Sequence, residues 1–511
     1  MINNRKILAG LAIAAVLPQL AAGTAQAKYH ADADTGVDAL DYIENQHRAE
    51  RENRLTDEQI KLLQDAKDME KHLRHPLDKT KPMPIAFEGD DLAYDERDGS
   101  FVAKGKVDIL QLDAHRFQGE EISGNIRTQD IYVPDKAHIL QMTPGQLRVT
   151  LDGYKAHYNY SQKTGSLENG RGKAGHHYIT GKRFEFYPDK LIVYQGTDTK
   201  CGAEKPDYHM SAEKITIIPN DRIILENMAF WIRGTKLFSR RHYESRMDGS
   251  KDATSYLPRV GYNTDNGVSL SWNLSQPVAK NVEMDETIKV TARQGWRSNY
   301  ELAWNNGSMK TGVRYGHYED SDDKWIKKEP SFFWNYGDRI GRSHFSYTLG
   351  TEYGRWYNKG IRSNHKYYSA GIGYDPIAFD RYTLYLHTGY DITMESYDDS
   401  RVAGMTFDSV LTRDFDERWA AYAGYHYNKN TTKTSIFDFN KDDFAKKLEM
   451  GFSYRMTDLD RFVVGSRYDL DGGRWADVDY YWYHDMHCSQ LILRYRSLSS
   501  QWKVSWQFTP W

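Results

Sequence analysis

The sequence predicts an all-β protein: a periplasmic β-jelly roll, then a C-terminal transmembrane antiparallel β-barrel of about 14–16 strands, with a short N-terminal helical segment. Three observations lead there. The chain opens on an export signal. Its mean hydropathy is −0.76, and beyond that signal no stretch approaches the roughly 18 apolar residues of a spanning helix. Yet aromatics make up 14% of it, with 37 Tyr and 13 Trp, and its second half alternates strictly between apolar and polar residues. Barrel strands alternate lipid-facing and lumen-facing side chains, so they escape a hydropathy scan.

Residues 1–27 read as a secretory signal peptide. Arg5 and Lys6 precede an apolar run from Ile7 to about Ala22, and Ala25-Gln26-Ala27 offers a small-residue cleavage site before Lys28. An uncleaved anchor helix is the competing reading, but Pro18 interrupts the run and the cleavage site follows directly. A net charge of −3 makes no case for a nucleic-acid partner.

Residues 28–84 are a charged helical linker. In LTDEQIKLLQDAKDMEKHL, Thr56 and Gln59 form a capping box, and Leu55, Ile60, Leu63, Ala66, Met69 and Leu73 follow a helical stripe. The stripe implies a packing helix or a docking site for a periplasmic partner. KTKPMP (79–84) ends it.

Residues 85–235 change to short alternating strands between Asp, Asn and Gly turns, as in IAFEGDDLAYDERDGSFVAKGKVDILQLDAHRFQGEEISGNIRTQDIYV. A unit with an acidic or small pair, an aliphatic residue and a tyrosine recurs at Asp91–Tyr94 and Asp152–Tyr158, which suggests a stacked sheet or jelly roll.

Residues 236–511 are assigned to the barrel, with alternation strict from about 258. KLEMGFSYRM sets Leu448, Met450, Phe452, Tyr454 and Met456 against Glu449, Gly451, Ser453 and Arg455. YYSAGIGYDP sets Tyr368, Ala370, Ile372 and Tyr374 against Ser369, Gly371, Gly373 and Asp375. The aromatic-aliphatic face is expected to meet lipid and the small, charged face to line a lumen. A water-soluble β-sandwich would have to bury both faces, and the polar one is too rich in Gly, Ser, Arg and Asp for that.

The chain keeps only two cysteines, Cys201 in GTDTKCGAEKPDYHMSAEKI and Cys488 in YWYHDMHCSQLILRYRSL. Together with KGKVDILQLDAHRFQGEEI and the barrel-opening tract YLPRVGYNTDNGVSLSWNL, these contexts resemble the lipopolysaccharide-assembly outer-membrane protein (LptD/OstA) family over about 85–511, as a short-barrel member. The resemblance implies an OstA-like jelly roll that takes lipopolysaccharide from a periplasmic OstA-like bridge protein (LptA-like), and a barrel that releases it into the outer leaflet. It also implies one disulfide between Cys201 and Cys488. An oxidising compartment agrees with that pairing, and closing a loop of this length stabilises by about 5–6 kcal/mol in the chain-entropy model. His484, His487 and Cys488 are not read as metal ligands, because strand spacing sets His487 and Cys488 on opposite faces. No metal or cofactor is implied.

Each buried CH₂ is worth about 0.8 kcal/mol, so a carrier of acyl chains needs a continuous apolar groove. The candidates are Leu92, Val102, Val107, Ile109, Phe117, Ile122, Ile131, Val133, Ile139, Leu147 and Val149. Residue by residue, ordinary core packing accounts for them better, and only a sheet pair open at one end would make them a slide. Lateral exit needs the first and last barrel strands to part. The first is read at about Val268–Leu274, with Val268, Leu270 and Trp272, and the last at about Trp502–Phe508, with Trp502, Val504 and Trp506. The family's seam prolines are missing, since Ser269 and Val290 stand there; Pro277 is read as a turn residue, and Pro510 is expected to ease opening instead. Phe508 and Trp511 end the chain as a signal for the barrel-assembly machinery. The barrel is about half the family's usual size, which leaves little room for an LptE-like plug lipoprotein, so that partner is not expected.

No G-x-S-x-G, H-E-x-x-H or Walker loop occurs, so no enzyme activity is expected. Two other readings stay open: a diffusion porin with a periplasmic domain, and an outer-membrane lipid hydrolase.

Overall fold

The computed structural model describes residues 35–72, 84–143, 147–219, 221–246, 258–320, 323–428, 436–439, 444–486 and 488–508. The signal peptide, Pro510 and Trp511 lie outside the described residues. The described chain forms two compact units.

The first unit is a 12-stranded antiparallel sheet whose strands follow one another in sequence order from Ser100–Gln111 to Thr235–Arg246. Two short strands, Ile85–Glu88 and Asp91–Tyr94, share its first edge, both pairing with Ser100–Gln111. Most strands span 9–12 residues and several are interrupted midway by bulges, for example between Lys104 and Val107 and between Val133 and Lys136. Left-handed residues mark several of these bends: Gly105 at φ +74°, Lys155 at +50°, Asn227 at +53°. An extra residue in the bend switches the inward parity. Strand Val149–Asn159 buries Val149, Leu151 and Gly153 before the bend and Ala156 and Tyr158 after it. Each strand thus contributes to two walls of one sheet, and the walls enclose an apolar interior with Phe101, Ile122, Leu151, Leu167, Phe184 and Leu225 fully buried.

Helix α2 (Asp57–Lys71) packs on this sheet. Thr56 caps it, and the capping box with Gln59 is present. Its buried residues are Leu62 and Ala66, joined by Leu55 and Met69 against Leu110, Ala114, Leu140 and Met142. Ile60 and Leu63, placed on the stripe from sequence, are exposed instead. Arg116 donates to Asp65 at 2.5 Å, and His138 lies 2.9 Å from Glu58. These polar anchors rotate the helix away from the face that hydrophobicity alone selected.

The second unit is a closed antiparallel barrel running from Arg259–Asn263 to Gln501–Phe508. The two segments Gly295–Trp296 and Asn299–Asn305 both pair with Val282–Thr291 and count as one strand, which makes sixteen. Burial alternates as expected. Lys447, Glu449, Ser453 and Arg455 point inward, while Met450, Phe452, Tyr368 and Ile372 are exposed on the outer face. Among the described residues no helix is long and apolar enough to cross a membrane.

Three boundaries move. Strand Thr235–Arg246 pairs with Arg222–Ile232 in the N-terminal sheet, so the barrel starts at Arg259 and not at 236. The segment 28–84 is not one linker. It holds α1 (Thr35–Asn53) and α2, and α1 up to Arg48 belongs to the barrel unit. Finally, Val268–Leu274 lies in the barrel's second strand, Gly267–Ala279, because the five-residue strand Arg259–Asn263 precedes it. Pro277 lies inside that second strand, paired with Glu283 beside a register shift.

Candidate functional site

Two interiors carry the chemistry, and each is built within one unit. In the sheet unit, eight of the eleven groove candidates point inward and are buried: Val107, Ile109, Phe117, Ile122, Ile131, Val133, Ile139 and Val149. Leu92 is 53% exposed on an edge strand, and Val102 and Leu147 are half-buried. Val102 follows Phe101, whose ring takes the interior, so strand parity turns Val102 outward. Sequence reasoning missed the later rungs, Phe184, Val193, Ile215 and Leu225 among them, although the same alternation runs through 177–232.

A small cleft opens between Leu147, Val149, Tyr158, Phe186 and Leu191, with Lys163 and Lys190 in its lining. Lys163 donates to Asp113 at 2.7 Å. Nearby, His115 is buried between the rings of Phe117 and Tyr158, at centroid distances of 4.6 and 4.7 Å. Its Nε2 has no hydrogen-bond partner among the described residues. Burial, with Lys163 adding to it, pushes its pKa down to about 3. Burial and the Asp113 charge push the Tyr158 hydroxyl well above its usual range. Polar side chains are buried in this unit too, Gln111, His115, Arg116 and the His177–Asp198 pair among them.

In the barrel unit the lumen is occupied. The inward residues of strands Arg401–Asp414, Trp419–Asn428, Lys446–Arg455, Asp460–Asp469 and Arg474–Met486 form a wall against α1. Val37, Leu40 and Ile43 meet Val410, Ala420, Tyr422, Val463, Tyr481 and Tyr483. Around this small apolar strip the contacts are charged. Arg455 donates to Glu44, Arg461 to Asp41, and Arg48 to Asp485. His47 lies 2.8 Å from Asp414, and the Tyr483 hydroxyl donates to Asp41 at 3.1 Å. The acidic half of α1 thus faces basic wall residues and its basic end faces acidic ones, which sets both direction and depth. The sequence signal was the acidic triplet Asp38, Asp41 and Glu44 at helical spacing, followed by His47, Arg48 and Arg51.

The far end of the lumen holds a second insertion. In the connection after Trp419–Asn428, Ile436, Phe437 and Phe439 pack against Ile326 and Trp356 on strands Trp325–Arg339 and Phe345–Asn358. The Lys328 ammonium lies 4.8 Å from the Trp356 ring centroid and donates to Glu352 at 2.6 Å.

The barrel closes by pairing Arg259–Asn263 with the last strand: Val260 with Trp506, Gly261 with Ser505, Tyr262 with Val504 and Asn263 with Lys503. Val268 and Leu270 pair with Tyr262 and Val260, and Trp272 with Ile288 of the third strand, so all three lie one strand away from this seam. The Trp502 amide donates to Thr264 Oγ1 at 3.0 Å. Phe508 is buried edge-on to Tyr208, 5.4 Å between centroids. Cys201 and Cys488 form a disulfide with Cα atoms 5.0 Å apart. Cys488 sits in the turn between Arg474–Met486 and Ser489–Arg496, not on a strand as read from sequence.

No family model matches the chain, and no curated protein matches it. Among solved structures it is similar to a mutant of the Rh. blastica porin, at 8% identity and TM-score 0.28, over 49% of this chain and 96% of that one. It is likewise similar to the outer-membrane channel DcaP of Acinetobacter baumannii, at 12% identity and TM-score 0.30, over 50% and 94%. BamA from Haemophilus ducreyi lacking POTRA domains 1-3 follows at 11% identity and TM-score 0.32, over 52% and 72%. A closed sixteen-strand barrel with an apolar outer face fits an outer-membrane protein.

Proposed function

We propose that this chain is an outer-membrane lipopolysaccharide translocon component, a carrier and not an enzyme. The bent sheet receives the lipid from a periplasmic OstA-like bridge protein and shields its acyl chains. The barrel passes the sugar head and releases the molecule into the outer leaflet through its seam. The observation that carries this reading is the mainly aliphatic and aromatic interior of the bent 12-stranded sheet, built on the same chain as a closed barrel. An enclosed strip of aliphatic side chains suits acyl chains, at about 0.8 kcal/mol for each methylene kept from water. The Cys201–Cys488 bond supports it too, since it is the pairing that the family resemblance implies. An open diffusion porin is less well served, because α1 and the Phe437 connection occupy the lumen.

The test is depletion of the protein in its host, followed by fractionation of the envelope. Lipopolysaccharide is expected to accumulate at the inner membrane and in the periplasm while surface lipopolysaccharide falls. Unchanged surface lipopolysaccharide with reduced uptake of small hydrophilic solutes would replace this reading with the porin.

A further inference from the structure

We propose that α1 is a built-in plug: a segment of the chain's own N-terminal region that closes the lumen at the end where the chain enters the barrel, and whose withdrawal opens that end to water and ions.

The seat is shaped for the helix. A Cβ on Gly36 would fall 1.8 Å from the Tyr422 ring, one on Gly451 2.6 Å from it, and one on Gly465 3.1 Å from its hydroxyl. One tyrosine ring is therefore enclosed by three glycines, two from the barrel wall and one from α1. A Cβ on Gly465 would also lie 2.9 Å from Val37, so the wall is recessed where the helix comes closest. Close packing of this kind is what a fixed binding position requires.

The bonding is suited to release. The apolar strip on α1 is three residues, Val37, Leu40 and Ile43. Around it lie polar and charged contacts, among them the ion pairs of Glu44 with Arg455, Asp41 with Arg461 and Arg48 with Asp485, the contact of His47 with Asp414 and the Tyr483 hydroxyl on Asp41. Water and counterions entering the lumen can take over such contacts, whereas they cannot replace a large apolar interface. Charge pairing in two opposite senses along one helix also defines a single seated register. The barrel itself is closed by its own strand pairing and does not need α1 for that. Barrels of this strand number carry an aqueous channel when the lumen is free.

Because Phe437 and Phe439 occupy the opposite end, the test compares four full-length proteins in planar bilayers: the native chain, D41K/E44K, F437S/F439S, and the two changes combined. The helix variant leaves every barrel residue unchanged, and heat-modifiable gel migration checks that each barrel is closed. The combined variant is expected to show stable open steps, at least about tenfold above the residual current of F437S/F439S. A current in F437S/F439S equal to that of the combined protein would overturn the proposal, and so would a combined protein that stays silent. G36V provides a second way to unseat the helix without altering charge, and is expected to reproduce the effect of D41K/E44K in the same loop background. In membranes, V37C/G465C is expected to cross-link almost fully, and to lose most of that yield when D41K/E44K is added; equal yields would also overturn the proposal. None of these readouts depends on lipopolysaccharide being the cargo.

Discussion

Acidification should loosen the sheet unit through His115. The imidazole is fully buried between Phe117 and Tyr158, and burial holds its pKa at about 3 against the ordinary 6.5. Between those values the unfolded chain binds a proton that the folded one refuses, so stability falls as pH falls. The contribution of neutral His115 is fully present above about pH 6.5 and is lost at about 1.4 kcal/mol per unit below it. Going from neutral pH to pH 5 therefore costs about 2 kcal/mol, or roughly 30-fold in the opening equilibrium. Hydrogen exchange read by mass spectrometry on the full chain in detergent measures this in peptides from 101–125 and 149–159, after correction for intrinsic exchange. Burial also lowers the pKa of His176 and His209, so the native slope contains more than one group. The difference between the native chain and His115→Phe isolates the one in question, since phenylalanine suits the aromatic slot. If both proteins lose protection equally between pH 7 and 5, the interior at His115 is wet and the reading of a dry slot between Phe117 and Tyr158 is wrong.

Leu151→Ala removes a side chain with no exposure from the middle of the sheet interior and should cost about 2–5 kcal/mol, measured by chemical denaturation or the same exchange experiment. Glu44→Ala strips Arg455 of its carboxylate partner inside the lumen; by about 3–5 kcal/mol it should weaken the seating of α1, seen as faster proteolysis after Arg48 in folded barrels. Cys201→Ser should change mobility on non-reducing gels and remove at most about 5–6 kcal/mol of chain-entropy stabilisation, seen as earlier exchange in 191–218.

The barrel was legible because period-2 alternation survives wherever one face meets lipid and the other the lumen. Residues 446–455 show it without exception. The sheet unit was legible only in outline. Its mid-strand bends shift parity, as from Leu151 to Ala156 and from Leu225 to Met228, and a fixed-period scan loses the strand there. Val102 was placed inside on hydrophobicity alone, although its neighbours Phe101 and Ala103 hold the inward positions; Leu92 lies on a four-residue edge strand that is exposed throughout. The stripe on α2 was right at Leu55, Ala66 and Met69 and wrong at Ile60 and Leu63: Arg116–Asp65 and His138–Glu58 turn the helix, and partners distant in sequence cannot be read from the helix itself. The seat of α1 was out of reach because it depends on five strands more than 350 residues away, as with Glu44 and Arg455 at a separation of 411.

The positions of the cross-links bear on which strands are free to part. The seam joins four residue pairs, Val260 with Trp506 to Asn263 with Lys503, whereas Phe345–Asn358 and Ile361–Phe379 pair along fourteen. Backbone hydrogen bonds each contribute about 1 kcal/mol net, so the seam costs less to open than a long junction such as that one. The five strands that hold α1 run from Arg401 to Met486, and neither seam strand is among them. The Cys488 turn lies before Ser489–Arg496, leaving that strand between it and the last one. The seat of α1 and the disulfide thus fall on neither seam strand, and within the lumen the last strand is held by Lys503, which donates to Asp323 at 2.8 Å. Val260→Cys with Trp506→Cys, which face each other across the seam, turns this into a measurement. Under the proposed function, oxidising that pair in vivo should stop lipopolysaccharide reaching the surface while leaving the barrel folded, and export that continues through a fully cross-linked seam would exclude lateral release there.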